Sequence, residues 1–230
     1  MAEAARPVWI SLAISLAGVF IAAGFIVTPS SLPSTRGNIY VWSIFAALLV
    51  LGAAATFFPR RCSRSIVNTE DLDSSRYTSI SAVRLIHGHH PLCGRFEDHE
   101  FTVAGKSICA GCLGLFIGAT FSLLLSAVYL IFNPAIPLGV GMLGLAFVTC
   151  GLLYIPVLKN LPTGLRTAVN AIFVVGFPLT LMVVVGVGNV EMALITIGFF
   201  VFWMYTRIQL SQWRHNAICD GCDEPCPVRG

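Results

Sequence analysis

The chain has 230 residues, of which 56% are hydrophobic and only 11% are charged, and its formal net charge is +3. Soluble domains carry about 25% charged residues, so this composition excludes a soluble globular protein and predicts that much of the surface faces a lipid bilayer. A dense basic face with interleaved aromatic residues is absent from the sequence, which excludes nucleic acid as a partner.

Six apolar stretches are close to the roughly 20 residues that an α-helix needs to cross a bilayer. In chain order they cover residues 8–27, 39–58, 113–132, 138–158, 167–188 and 190–206. The break between the last two is very tight, but a single helix there would be about 40 residues long, far more than a bilayer requires. The sequence therefore predicts an all-α integral membrane helix bundle with six transmembrane helices.

These spans divide the chain into a transmembrane hairpin at 1–58, a loop at 59–112, a four-span bundle at 113–206 and a tail at 207–230. Lys and Arg are retained on the cytoplasmic side of a membrane. Thirteen of the fourteen basic residues fall on the side that holds both termini and the loop, and Arg36 alone falls on the other. We therefore expect a multi-pass cell-membrane protein with both termini in the cytoplasm.

Two further segments are expected to lie along the cytoplasmic surface as helices. Within residues 74–87 apolar residues recur at every third position, which predicts a short amphipathic helix. The segment RIQLSQWRH, which follows the sixth predicted span, is expected to run along the interface in the same way. No ionisable residue lies near the centre of a predicted span, which argues against an ion-coupled transporter.

Seven of the eight cysteines fall in segments expected on the cytoplasmic side. Because the cytosol is reducing, clustered thiols there indicate metal binding or redox chemistry rather than structural disulfides. The densest cluster is HGHHPLCGRFEDHEFTVAGKSICAGC at residues 87–112, which holds four of the five histidines. This stretch is the first candidate functional site.

The first candidate site consists of two ligand pairs. Two residues separate the members of each pair, and fifteen residues separate the pairs. Two intervening residues let a tight turn present both side chains to one ion, and a loop of about 15 residues returns the second pair to complete a tetrahedron, as in zinc ribbons. The predicted ligands of this closed, structural zinc site are His90, Cys93, Cys109 and Cys112, with His87 or His89 as alternates to His90.

The acidic stretch FEDHEF lies between the two ligand pairs. Its carboxylates, Glu97, Asp98 and Glu100, would act as general bases only beside a zinc ion that keeps one position for water, and we favour a charged surface turn. His99 is a further alternate ligand and is expected at the surface. Unligated thiols and redox disulfide chemistry are the alternatives to a metal at this site.

The C-terminal stretch HNAICDGCDEPCPVRG forms a second cluster. Cys219, Cys222 and Cys226 have the spacing of the second half of a bacterial ferredoxin cysteine run, without its first cysteine. Zinc fits these three thiolates together with His215, whereas an iron–sulfur cluster would recruit Cys62. A tail without any ligand is the third alternative. The two clusters are expected to meet beneath the helix bundle.

The stretch HHPLC…RF…G…CAGCLGLFIG, within residues 85–118, resembles a family of prokaryotic, largely archaeal, multi-pass membrane proteins known only as a domain of unknown function. In that family a Cys/His element is followed by a CxxC-type turn that opens a hydrophobic span, often with Arg between the cysteines where this chain has Ala110 and Gly111. The resemblance implies no established activity. The matching positions are His89, His90, Cys93, Cys109, Cys112 and Gly114.

The favoured function is a scaffold or interaction subunit, in which zinc–thiolate sites hold the loop and the tail beneath the bundle. They would present a docking surface to a membrane or cytoplasmic protein partner. One alternative is a membrane redox subunit with an iron–sulfur cluster or a dithiol. Another is a zinc-dependent membrane enzyme that acts at the cytoplasmic interface.

Overall fold

The computed structural model describes residues 2–28, 38–57, 77–80, 83–86, 96, 99–158, 161–187 and 190–220. Most of these residues are helical. The helices are α1 (Ala2–Val27), α2 (Ile39–Ala55), α3 (Ala110–Phe132), α4 (Leu138–Val157), α5 (Thr163–Val187) and α6 (Val190–Asp220). Two antiparallel hairpins precede α3, and their strands are β1 (Tyr77–Ile80), β2 (Val83–Ile86), β3 (Glu100–Val103) and β4 (Lys106–Cys109).

Each of the six predicted spans overlaps one helix, which confirms a predominantly helical protein of membrane type. Five of the helices in the described ranges, α1 and α3 to α6, are long and apolar enough to cross a bilayer. Helix α2 is apolar as well but has only 17 residues, fewer than the roughly 20 that a bilayer needs. The number of spans and their direction across the membrane stay predictions.

Helix α5 is the central element of the bundle. In its most apolar stretch 72% of the residues are buried, against 28% for the corresponding stretch of α3. It packs lengthwise against α3 on one side and against α4 on the other. The α3 contacts run in parallel, since Gly114 of α3 approaches Thr167 and Tyr129 approaches Met182 farther along both helices.

Glycine makes these close helix contacts sterically possible. A Cβ atom on Gly114 would lie 2.3 Å from the carbonyl oxygen of Thr167, and one on Gly118 would lie 2.6 Å from that of Ala171. Small residues at such positions let two membrane helices approach to backbone contact, which increases their dispersion attraction where lipid supplies no hydrophobic driving force. The α3–α5 contact therefore fixes the start of α3 against the start of α5.

We expect Gly144→Ala to destabilise the bundle. A Cβ at this position of α4 would lie 2.7 Å from the carbonyl oxygen of Gly176 and 2.8 Å from the amide nitrogen of Thr180, so the two backbones must separate. Overpacking of this kind costs about 1–3 kcal/mol. Thermal unfolding in detergent, followed by tryptophan fluorescence, measures the loss. Gly198→Ala in α6 is the matched control, because a Cβ there meets no heavy atom within 4 Å; equal melting temperatures for the two variants would contradict the prediction.

The prediction of an amphipathic helix at residues 74–87 is wrong, because the described part of this segment forms the β1–β2 hairpin. The Cα partners across the hairpin include Tyr77 with Ile86 and Ile80 with Val83. In the hairpin these apolar residues therefore form two cross-strand pairs and do not lie along one face of a helix. The Thr, Ile and Val residues of the segment also favour strands over helices.

The second hairpin leads directly into α3. Ala104 and Gly105 form its two-residue turn with φ angles of 50° and 75°, the left-handed conformation that type I′ hairpin turns require at both positions. Strand β4 ends at Cys109, which is also the N-cap residue of α3. The hairpin thus fixes the position of the two cysteines that the sequence predicts as ligands.

The segment RIQLSQWRH was expected to run along the membrane interface after residue 206. It instead continues α6 and stays in contact with the bundle. Helix α6 continues without a break to Asp220, and its Trp213 lies against Trp9 of α1 with ring centroids 5.6 Å apart. Halfway along, the Ser15 hydroxyl donates a hydrogen bond of 2.8 Å to Thr206. These contacts hold the second half of α6 against α1.

Candidate functional site

A cavity of about 100 Å³ lies at the end of the bundle where α3 and α5 begin and α4 ends. The second half of α6 closes one of its sides. Cysteine, histidine and arginine side chains line it, and no carboxylate does so among the described lining residues. The polar lining residues used below are His99, Cys109, Cys112, Tyr154, Arg166, Asn170, Arg207, Arg214 and His215.

The two thiols of the cavity come from the start of α3. Cys109 is the N-cap residue and is only 5% exposed, and Cys112 is half-buried one turn farther along. Residues three apart on a helix lie on the same face, so both side chains reach the cavity. The N-terminal end of a helix carries a partial positive charge that favours the thiolate form of a cysteine.

Two imidazoles also line the cavity. His215 projects from α6, and the centroid of its ring is 5.8 Å from that of His99. The amide of His99 donates a hydrogen bond of 2.9 Å to the carbonyl oxygen of Phe96, and the Phe96 ring packs against both imidazoles. His99 is 8% exposed, so the expectation that it lies at the surface is wrong.

A buried guanidinium stands between the bundle interior and the cavity. Arg207 of α6 is 6% exposed, and its Nη2 atom donates hydrogen bonds to the Tyr154 hydroxyl of α4 and to Oδ1 of Asn170 in α5. Asn170 in turn donates to the Tyr154 hydroxyl at 3.1 Å and to the carbonyl oxygen of Arg166 at 2.7 Å. This network joins three helices through neutral acceptors.

The cavity has a cationic lining. Arg166 at the start of α5 and Arg214 on α6 line it together with Arg207. The Nε–H groups of Arg166 and Arg207 are buried and donate no hydrogen bond to the part of the chain that the structure describes. Both cysteine thiols lie within electrostatic range of Arg207.

The cavity brings together residues from the two predicted metal sites, namely Cys109 and Cys112 of the first and His215 of the second. Cys219 lies in the last turn of α6. Among the described residues, no group of three or more His, Cys, Asp or Glu side chains is arranged to hold a metal ion. The predicted ligands and alternates outside the described residues are His87, His89, His90, Cys93, Cys222, Cys226 and Cys62.

Arg207 was not predicted as a site residue. The sixth predicted span ends at residue 206, which places Arg207 outside the bundle. A usable signal was available in the polar residues that adjoin the same ends of the neighbouring spans, Tyr154 near the end of span four and Asn170 near the start of span five. Polar groups at equal depth on adjacent helices indicate a shared network.

No family model matches this chain, and comparisons with curated proteins and with solved structures find no match either. The resemblance drawn from residues 85–118 therefore stays a prediction.

Proposed function

We propose that this chain is a membrane-embedded scaffold or interaction subunit whose cytoplasmic end is organised by a zinc-type site. Cys109 and Cys112 of α3 and His215 of α6 are the proposed ligands. The observation that carries the proposal is that these three side chains, from two clusters far apart in the sequence, line one cavity. A shared ion would join the beginning of α3 to the second half of α6.

The ligand set would close around the ion on binding. A structural zinc ion needs four ligands in a tetrahedron, and the spacing of the sequence offers His90 and Cys93 as the source of the fourth. Zinc with two thiolates has no formal charge, and zinc with three has a charge of −1. The arginines of the cavity are therefore compatible with the thiolate-bound metal and stabilise the deprotonated thiols that metal binding requires.

A second candidate function, a membrane redox subunit, is favoured by one observation. Two cysteines with two residues between them stand at a helix N-terminus, close to the buried guanidinium of Arg207. Both features stabilise a thiolate, as in dithiol oxidoreductases. In this function Cys109 and Cys112 would be oxidised to a disulfide, and two electrons and two protons would pass to a quinone or to a protein partner.

Metal analysis of the wild-type protein tests the first proposal. We expect about one or two zinc ions per chain in protein purified anaerobically in detergent, because a cytosolic cluster of thiolates and imidazoles selects zinc over the harder cations. The Cys109→Ser/Cys112→Ser variant is expected to lose at least one of them. Elemental analysis and the absorption spectrum give metal content and the presence of iron and sulfide.

Cys150→Ser is the matched control, since Cys150 lies on the exposed face of α4 away from the cavity. It is expected to keep the wild-type metal content. Iron with acid-labile sulfide in the wild type would replace the scaffold by the redox function. A metal-free wild type whose Cys109–Cys112 disulfide forms reversibly would also support the dithiol, and a metal-free protein with two unreactive thiols would contradict both.

A further inference from the structure

Two arginines of the cavity, Arg166 and Arg207, have no carboxylate beside them within its described lining. Three guanidinium groups line it, and none of the other described lining residues is a carboxylate. The acceptors of Arg207 are the neutral hydroxyl of Tyr154 and the neutral amide of Asn170. Arginine keeps its charge in proteins, and a buried charge without a counter-charge is costly.

The hydrogen-bond inventory of the same residues indicates an oxygen acceptor. Arg207 is 6% exposed, yet its buried Nε atom has no partner within the described ranges, and neither does that of Arg166. Buried donors of this kind are normally hydrogen-bonded, and a charged donor is costlier to leave unbonded than a neutral one. An anion in the cavity would offer oxygen acceptors to these donors.

We propose that this cavity binds a phosphate group through Arg166 and Arg207. Guanidinium groups recognise tetrahedral oxyanions through paired, charge-assisted hydrogen bonds, and the cavity of about 100 Å³ has room for one such group. The proposal does not depend on a metal, because zinc with two thiolates adds no net charge to the site.

The depth of the site suits two sources of phosphate. Arg207 follows the start of α6 by about 26 Å at 1.5 Å per residue, near the far edge of a hydrocarbon core of about 30 Å. At this level a phospholipid headgroup reaches the cavity from the membrane and inorganic phosphate reaches it from water. Both present the same chemistry to the arginines.

Calorimetric titration of the detergent-solubilised full chain tests the proposal. The probes are inorganic phosphate and short-chain phosphatidic acid, with chloride at equal ionic strength and short-chain diacylglycerol as controls. We expect binding of at least one phosphate probe and of neither control. Binding of inorganic phosphate identifies a site for a small anion, and binding of phosphatidic acid alone identifies a lipid headgroup site.

Three variants locate the binding site. Arg207→Gln and Arg166→Gln are each expected to raise the dissociation constant for the phosphate probe at least tenfold. Because Arg166 is only partly buried, the Arg166→Gln variant still tests the proposal if Arg207→Gln fails to fold. Arg6→Gln, at an exposed position of α1, is expected to change nothing. Binding is also expected to survive in Cys109→Ser/Cys112→Ser, so a failure of the metal proposal leaves this one standing. No binding by the wild type, or equal binding by the Arg166 and Arg6 variants, would overturn it.

Discussion

Tyr154→Phe is expected to lower the stability of the protein by about 3 kcal/mol, the upper range for a hydrogen bond to a charged group. The hydroxyl of Tyr154 accepts hydrogen bonds from Arg207 and from Asn170. Its removal leaves a buried guanidinium with one hydrogen-bond acceptor fewer. For a chain of this size the melting temperature should fall by roughly 6–12 °C, as measured by thermal unfolding in detergent.

Tyr205→Phe provides the matched control for this variant. Tyr205 lies near Arg207 on α6 but is 50% exposed, so the removal of its hydroxyl changes an exposed surface and not a buried network. We expect its melting temperature to stay within a degree or two of the wild type, because surface substitutions change stability by about 0.5 kcal/mol or less. Equal losses in the two variants would show that the Arg207 network contributes nothing specific.

A double-mutant cycle separates two contributions to the destabilisation by Tyr154→Phe: the lost hydrogen bond to the buried Arg207 guanidinium, and the lost packing of the hydroxyl. Arg207→Met removes the guanidinium together with its need for partners, and replacing a buried ionic group by an apolar one of similar volume is often nearly neutral. In the Tyr154→Phe/Arg207→Met variant the loss should therefore be clearly smaller than the sum of the single losses. Strict additivity would mean that the two side chains are not coupled.

The helices could be predicted from the sequence because the bilayer imposes a length and a composition that few other structures share. The apolar run of α5, for instance, begins and ends at the polar or glycine-rich breaks that the sequence analysis used. The start of α6 at Val190 agrees with the predicted span, but its C-terminal end could not be predicted in this way. Composition alone cannot tell whether a helix stops at its first charged residue or continues, as α6 does, because Arg207 finds acceptors on α4 and α5.

The β1–β2 hairpin shows a second limit of predicting secondary structure from the sequence. A three-residue recurrence of apolar positions fits one face of a helix, but it also arises when two short strands pair in register, with Tyr77 opposite Ile86 and Ile80 opposite Val83. Only the chain reversal between the strands distinguishes the two structures. The sequence carries no Asn-Gly or Asp-Gly signal there, so the helical interpretation had no visible competitor.

The candidate site was predicted in part because spacing constrains local ligand pairs and not their distant partners. Cys109 and Cys112 lie together at the start of α3, as their x2 spacing predicts. That His215 lines the same cavity follows from the length and path of α6, which the sequence analysis shortened. The burial of His99 depends on the turn at Phe96 and the packing of that ring on two imidazoles, which no local pattern encodes.

The zinc affinity of a His215 variant should reveal whether His215 of the C-terminal cluster shares one metal site with Cys109 and Cys112. If His215 ligates the same ion as Cys109 and Cys112, His215→Gln should weaken zinc binding at that site at least about 100-fold, since loss of a mere outer-shell partner already costs 10–100-fold. Competition with a chromophoric chelator measures the dissociation constant. Ser211→Ala is the control, because Ser211 lines the cavity from the same helix without being a proposed ligand.

Chelation should also destabilise the wild-type protein, because a metal that binds only the folded chain adds its binding energy to folding. Its melting temperature should fall to that of the Cys109→Ser/Cys112→Ser variant, which chelator should leave unchanged. With His215→Gln the fall should occur at far lower chelator concentration. If His215→Gln instead keeps the wild-type dissociation constant, His215 does not ligate the ion bound by Cys109 and Cys112, and no shared ion joins α6 to the start of α3.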